Sequence, residues 1–174
     1  MPRFSSRFGL TRYEADEYYH LALQAYARKN VEEAIQQMNQ ALALLPSLAE
    51  YYAARGFFYL EHGAPAEAQR DFDEALRRRP YEMLANYGKG RMAYEKKEWA
   101  EALQHFLAAW ASQPERPETM YYIALVLHHQ GDNVRALEWM EKAHAGFARL
   151  NDKTHTRQAE RWVEELNKIL KRRP

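Results

Sequence analysis

Residues 49–80 read AEYYAARGFFYLEHGAPAEAQRDFDEALRRRP. Two amphipathic stretches lie on either side of Gly63-Ala64-Pro65, a pair that suits a left-handed helix end followed by a first-turn proline, and Pro80 closes the second stretch. The same arrangement returns in register along the chain. Pro46, Pro80 and Pro114 are 34 residues apart, and so are Ala34, Ala68, Ala102 and Ala136. A second alanine column runs through Ala41, Ala75, Ala109 and Ala143. A large apolar column holds Met38, Phe72, Phe106 and Met140, and a small one Ala22, Gly56, Gly90 and Ala124.

Each column has a physical role. Small residues let two antiparallel helices cross at about 8 Å, while the large column fills the space between one helix pair and the next. Proline lacks an amide donor and disfavours helix in the residue before it, so it stops the second helix of each unit. Thr11 with Glu14, Asn30 with Glu33 and Ser47 with Glu50 have capping-box spacing, and Gly63 and Gly131 suit left-handed helix ends. These signals predict helical hairpins with two helices of about 14 residues each.

The pattern resembles the tetratricopeptide repeat family, with its W-x2-L-G-x2-Y, A-x3-F and P positions. Tyr52, Arg55, Gly56, Tyr59, Ala68, Phe72 and Pro80 match it best. Asn86, Lys89, Gly90, Ala93, Ala102, Phe106 and Pro114 follow, as do Tyr18, Leu21, Ala22, Ala25, Ala34, Met38 and Pro46, and then Met120, Ile123, Ala124, Leu127, Ala136 and Met140. The resemblance covers roughly residues 15 to 148 and implies an all-α, right-handed superhelical solenoid of four helical hairpins plus a C-terminal capping helix. The expected organisation is a flexible N-terminal arm over 1–10, four units within 11–150 (about 15–48, 49–82, 83–116 and 117–150), and a capping helix with a basic tail over 151–174.

Ala148 stands where a proline is due, so the last hairpin's second helix is expected to run on through Phe147 and Leu150. Ala159, Trp162, Val163, Leu166, Ile169 and Leu170 then trace one stripe, expected to cover that hairpin and Trp139. Arg55 and Lys89 occupy an expected apolar position, with their stems packed and their charges in water. Asp71, Asp73 and Glu74 read as ordinary solvated carboxylates.

With 174 residues, of which 47% are hydrophobic, the chain has material for one domain with a core. Its formal charge of +1 offers no global field for nucleic acid or anionic membrane, and neither is an expected partner. The absence of cysteine removes disulfides, thiolate zinc sites and thiol nucleophiles. No secretory-type apolar core and no run of roughly 18 apolar residues is present, which points to a cytoplasmic protein. Adjacent His128 and His129 point about 100° apart on a helix and make a poor metal pair. Gly88-Lys89-Gly90 lacks the spacing of a phosphate loop. Arg77–Arg79 and Lys168, Lys171, Arg172 and Arg173 suit helix C-termini. No catalytic residue, metal or cofactor is expected, and the chain is read as a scaffold or adaptor rather than an enzyme.

The resemblance also implies that the first helix of each hairpin lines a concave side. On those helices the candidate partner-binding residues are Tyr19, Leu23, Tyr26, Phe57, Leu60, Tyr87, Arg91, Tyr94, Tyr121, Tyr122, Leu125 and His128. A wet face would carry lysine and glutamate, so this aromatic wall suits a peptide or helical segment of another protein. The two-carboxylate clamp of chaperone-tail adaptors is missing, because its sites read Tyr19, Leu23, Ala54, Leu84 and Gly88. The alternative reading is self-assembly into a homo-oligomer through the groove or through Phe4 and Phe8 of the arm.

Overall fold

The computed structural model describes residues 4–172, with side chains from Gly9 onward, and these residues are helical with short turns. The elements are α1 (Phe4–Ala27), α2 (Val31–Leu44), α3 (Ala49–Glu61), α4 (Pro65–Arg78), α5 (Met83–Glu95), α6 (Trp99–Ser112), α7 (Pro117–His129), α8 (Asn133–Arg149) and α9 (Lys153–Lys171). No strand occurs among the described residues. The chain forms two compact units, Met1–Gly88 and Lys89–Pro174. In the first, α1 packs on α2, α2 on α3 and α3 on α4; in the second, α6 packs on α7, α7 on α8 and α8 on α9.

The proline column ends its helices as expected. Leu45, Arg79 and Gln113, each preceding a proline, leave the helical region at φ −137°, −139° and −141°. Their amides still reach back to the carbonyls of Ala41, Ala75 and Ala109, so the alanine column also receives the closing hydrogen bond. Without a proline at 148, α8 continues to Arg149.

The turns inside the pairs share one backbone solution. Lys29, Gly63, Lys97 and Gly131, again 34 residues apart, take φ of 64°, 78°, 61° and 85°. Their amides bond the carbonyls of Tyr26, Leu60, Tyr94 and His128, and the next amides bond Ala25, Tyr59, Ala93 and Leu127. This is the paired closure of a left-handed helix end. Two of the four positions hold it with lysine, against the steric preference of a Cβ-bearing residue.

The core follows the columns. Met38, Phe72, Phe106 and Met140 are fully buried, as are Ala34, Ala41, Ala68, Ala75, Ala102, Ala109, Ala136 and Ala143. In the first unit the Phe72 ring lies against two glycines, Gly56 of its own pair and Gly88 of α5. A Cβ added at Gly88 would meet Phe72 Cζ at 2.2 Å, and one at Gly56 would meet Cδ1 at 2.8 Å. In the second unit, Gly90 faces Phe106 in the same way, at 2.7 Å.

Several expectations change. Helix α1 begins at Phe4, so most of the expected arm over 1–10 belongs to its first turns, while Arg3 and the side chains of Phe4, Arg7 and Phe8 lie outside the described residues. Thr11 is therefore inside a helix rather than at its start. Ser47 does not cap α3; that position is Leu48, which offers no side-chain hydrogen bond. Asn30 does cap α2, accepting from the Glu33 amide at 3.2 Å and donating to its carboxylate at 2.9 Å. Asp132 and Asp152 cap α8 and α9 through the amides of Arg135 and His155, each at 3.1 Å.

The largest revision concerns charge. Asp71 is only 6% exposed, and Arg55 grips it with Nε at 2.7 Å and Nη2 at 2.8 Å while Nη1 donates to Asn39 of α2 at 2.8 Å. Tyr52 and Tyr59 lie beneath the guanidinium at 5.8 and 5.9 Å. The pair thus ties α3 to both neighbouring helices, and neither charge is freely solvated. A carboxylate with both oxygens on a guanidinium fork has few lone pairs left unsatisfied, which makes the burial tolerable.

Two stability outcomes follow. Gly88→Ala gains helix propensity of up to about 1 kcal/mol, but forcing a methyl into the Phe72 ring costs about 1–3 kcal/mol. The expected result is a lower urea midpoint, with Gly88→Ala and Phe72→Leu less than additive because the smaller side chain makes room. Asp71→Ala leaves Arg55 half-buried and unpaired, at an expected cost of about 2–4 kcal/mol, and the double variant Arg55→Met with Asp71→Leu recovers most of it in the same denaturation assay.

Candidate functional site

The candidate residues fall on three positions of the 34-residue register: 19, 87 and 121; 23, 57, 91 and 125; and 26, 60, 94 and 128, with Tyr122 beside them. Within a helix these positions are four and three residues apart and form one stripe. The turn hydrogen bonds hold its last member, since the left-handed residue closes on the carbonyl of Tyr26, Leu60, Tyr94 or His128. Backbone closure and the stripe are therefore built on the same residues.

In the first unit, Tyr19 and Tyr26 of α1 are half-buried and Leu23 between them is 40% exposed. Tyr26 meets Phe57 of α3 edge-on at 5.7 Å and Phe58 at 5.2 Å, which joins the two helices' stripes. Leu60 is half-buried one turn beyond Phe57. Tyr19 lies 5.4 Å from the ring of Tyr51, whose buried hydroxyl donates to Asp16. Burial first, then Glu50 and Glu82, raises the Tyr19 pKa, so its phenol remains a donor at neutral pH. Tyr87 differs from the expectation: it is 8% exposed, on the turn of α5 that Gly88 holds against Phe72. It supports the wall and presents little surface.

In the second unit the rings form a connected chain. Tyr94 of α5 meets Tyr122 of α7 at 5.5 Å, Tyr122 meets Tyr121 at 6.0 Å, and Tyr121 meets Phe147 of α8 at 6.3 Å. Tyr122 also stacks on the buried Phe106 at 5.1 Å and 17°, so half of this ring is core. Arg91 is half-buried on α5. Leu125 is 7% exposed rather than a contact residue, because Tyr121 and His128, a turn to either side, are both engaged by Trp162 of α9. Trp162 and Tyr121 line the same open surface, and the Trp162 ring meets His128 edge-on at 5.3 Å. His128 is further held by Asn133 Oδ1, 2.6 Å from Nδ1, which assigns the proton to that nitrogen.

Two aromatic residues here escaped the sequence reading. Trp99 stacks on His129 at 4.3 Å and 8°, and Tyr94 closes the group with its hydroxyl 3.2 Å from His129 Nε2. By spacing Trp162 belongs to the packing stripe of α9, but only Ala159 and Leu166 of that stripe are buried. Trp139 instead meets Trp110 of α6 edge-on at 5.2 Å, under the ammonium of Lys142. The signal for Trp162 was available: six apolar positions on α9 span more arc than one contact with α8 can use.

Among the described residues no group of His, Asp and Glu has the convergence of a metal site, and no helix is long and apolar enough to cross a membrane. At the level of family, the tetratricopeptide repeat model matches residues 59–117 and 99–148, together just over half of the chain. The chain belongs to the tetratricopeptide repeat family. Its tetratricopeptide repeats make it a protein–protein interaction module, one that binds other proteins or peptides.

The chain is 31% identical over 132 residues to the type IV pilus assembly protein PilF of Pseudomonas aeruginosa, a match covering 74% of this chain and 52% of that one. It is 29% identical over 110 residues to human tetratricopeptide repeat protein 6, covering 62% and 21%. The chain thus spans about half the length of the first relative and a fifth of the second. The solved structure of P. aeruginosa PilF superposes with a TM-score of 0.69 at 23% identity, covering 89% of this chain and 77% of that one. That of YrrB, described as a tetratricopeptide repeat protein with an unusual peptide-binding site, gives 0.59 at 18% identity, covering 84% and 74%.

The Trp99–His129 stack has a pH signature. Burial first, then His128 and Lys97, holds the His129 pKa below its ordinary 6.5. Below that value the unfolded chain binds a proton that the folded chain resists, so the stability contribution is complete above it and is lost as pH falls toward the depressed folded value. The urea midpoint is expected to drop between about pH 7.5 and 5.5, and to drop less in His129→Phe, which keeps a ring against Trp99 without a titrating nitrogen.

Proposed function

We propose that the chain holds an extended or helical apolar segment of a partner protein against the aromatic stripes of its first helices. The observation carrying this is the pair of ring clusters, Tyr26 on Phe57 in one unit and Tyr94–Tyr122–Tyr121 in the other, with half-buried rings where a solvated helix face would carry lysine and glutamate. Rings fixed by one another lose little rotamer freedom on contact, and this favours them as anchors.

Leu23, Phe57, Leu60, Tyr94 and Tyr121 supply contact area, while Arg91 and His128 supply polar selectivity. Tyr87 and Leu125 act from behind as support. The peptide-binding site named for YrrB supports this use of the fold, and the similarity to a type IV pilus assembly protein supports a role in an assembly process. Association entropy offsets several ring contacts, so a single segment is expected to bind at roughly micromolar affinity.

Peptides selected from a displayed library on the intact chain provide the ligand for the test. Their binding is expected to weaken at least about tenfold in the Leu23→Ala, Phe57→Ala, Tyr94→Ala variant, with helical circular dichroism retained. Unchanged affinity in a folded variant defeats the proposal.

A further inference from the structure

The pair α1 and α2 leaves open a place that the pair α3 and α4 fills. Glu14, Glu17, Tyr18 and Leu21 of α1, at i, i+3, i+4 and i+7, line a cavity of about 410 Å³ with Gln40, Ala43 and Leu44 of α2. One repeat further on, the positions of Tyr18, Leu21, Gln40, Ala43 and Leu44 hold Tyr52, Arg55, Glu74, Arg77 and Arg78. There the chain supplies its own cations. The Arg78 guanidinium lies over the Tyr52 ring at 4.8 Å and pairs with Glu74, which also holds Arg77 at 2.7 Å, while Arg55 flanks the same ring at 5.8 Å. Around Tyr18 the places of Arg55 and Arg78 are taken by leucines and that of Arg77 by alanine.

The charge of the open place has one sign. Its lining holds two carboxylates and no cation. No lysine or arginine occurs from Tyr13 to Ala27 or from Asn30 to Ala54, so neither α2 nor the part of α1 that packs on it has a basic side chain to turn inward. Arg12 is engaged by Asp16 at 3.7 Å, and Glu14 and Glu17 have no ion-pair partner among the described residues. Tyr18 and Leu44 are half-buried and Leu21 is 39% exposed, so the cavity also has apolar walls. A ring, two unpaired carboxylates and two leucines surround a space from which the guanidinium of the next repeat is missing.

We propose that this cavity receives an arginine side chain of a partner protein, in the place that Arg78 fills one repeat later. The guanidinium lies on the Tyr18 ring, Glu14 and Glu17 accept its N–H groups, and the Gln40 side-chain oxygen accepts another in the role of Glu74. Leu21 and Leu44 pack its methylene stem. A lysine ammonium has no plane to lay on the ring and no fork for two carboxylates, so arginine is preferred. At 100° per residue, the stripe from Glu14 to Leu21 faces about 150° away from Tyr19, Leu23 and Tyr26. It is therefore a second contact surface, independent of the aromatic stripes.

The probe is a pentapeptide, Gly-Leu-Arg-Leu-Gly, blocked at both ends, alongside counterparts with citrulline or lysine at the centre. Each is titrated into the full chain while the Leu21 and Leu44 methyl resonances are followed by NMR. The arginine peptide is expected to shift both methyls and to bind about tenfold more tightly than its uncharged citrulline counterpart, with the lysine peptide weaker than arginine. Glu14→Gln with Glu17→Gln should remove the difference between arginine and citrulline. Leu44→Arg with Gln40→Glu rebuilds the arrangement around Tyr52 and should abolish binding, read at Leu21, with an undiminished urea midpoint showing that the fold is kept. Binding should persist in the Leu23, Phe57, Tyr94 variant. Equal binding of the arginine peptide and either counterpart, no shift of the two methyls, or binding that survives Leu44→Arg with Gln40→Glu overturns the proposal. Binding lost in the Leu23, Phe57, Tyr94 variant and kept in the Glu14, Glu17 variant assigns the arginine to the stripes and overturns it as well.

Discussion

The close approach of a large buried side chain to a residue with none is the contact on which the rest depends. Phe72 fills a space that exists because Gly56 and Gly88 lack a Cβ, and Phe106 does the same against Gly90. Close packing of this kind does not deform continuously, since a single methyl is felt in full. The helix on which the glycine lies is therefore fixed in both distance and rotation. Once rotation is fixed, so is the direction of every other side chain on that helix, and the residues three and four positions away become a surface with a defined orientation. The stripes at 23 and 57 or at 94 and 128 are consequences of that packing as much as of their own chemistry.

This explains which parts of the structure could be read from residues alone. The columns at Pro46, Pro80 and Pro114 and at Ala41, Ala75 and Ala109 repeat because each helix end needs the same φ and the same returning hydrogen bond. The left-handed position was legible at Gly63 and Gly131 and hidden at Lys29 and Lys97, where identity does not betray conformation but register does. Periodicity thus carries information that composition lacks. The caps expected at Thr11 and Ser47 misled because short-range spacing is common, whereas a cap is decided by where the helix starts, and α1 starts at Phe4.

What escaped the sequence was pairing across helices. Arg55 and Asp71 each look solvated when read against their own helix, and only the meeting of α3 with α4, and with Asn39 of α2, turns them into one buried group. Candidate residues failed for a related reason. Leu23 and Leu125 share a register position yet differ from 40% to 7% exposure, because Trp162 engages both residues flanking Leu125. A repeat specifies what each unit does to its neighbour and says nothing of a non-repeating helix laid over one of them. Burial at equivalent positions is equal only where surroundings are equal.

That asymmetry bears on function. A strictly periodic array would present the same surface at each step, and a partner could bind in several registers with similar energy, since specificity is a difference between affinities. Here the packing positions repeat while the stripe runs Leu23, Phe57, Arg91, Leu125 at one position and Tyr26, Leu60, Tyr94, His128 at the next. The columns that hold the fold are conserved in size along the chain, and the columns that face away from it are not. Stability and recognition are thereby placed on different residues of the same helices, so that one can vary without disturbing the other. Trp162 is the exception, since it packs against His128 and lines one open surface with Tyr121, and there the helix that completes the structure also takes part in the surface.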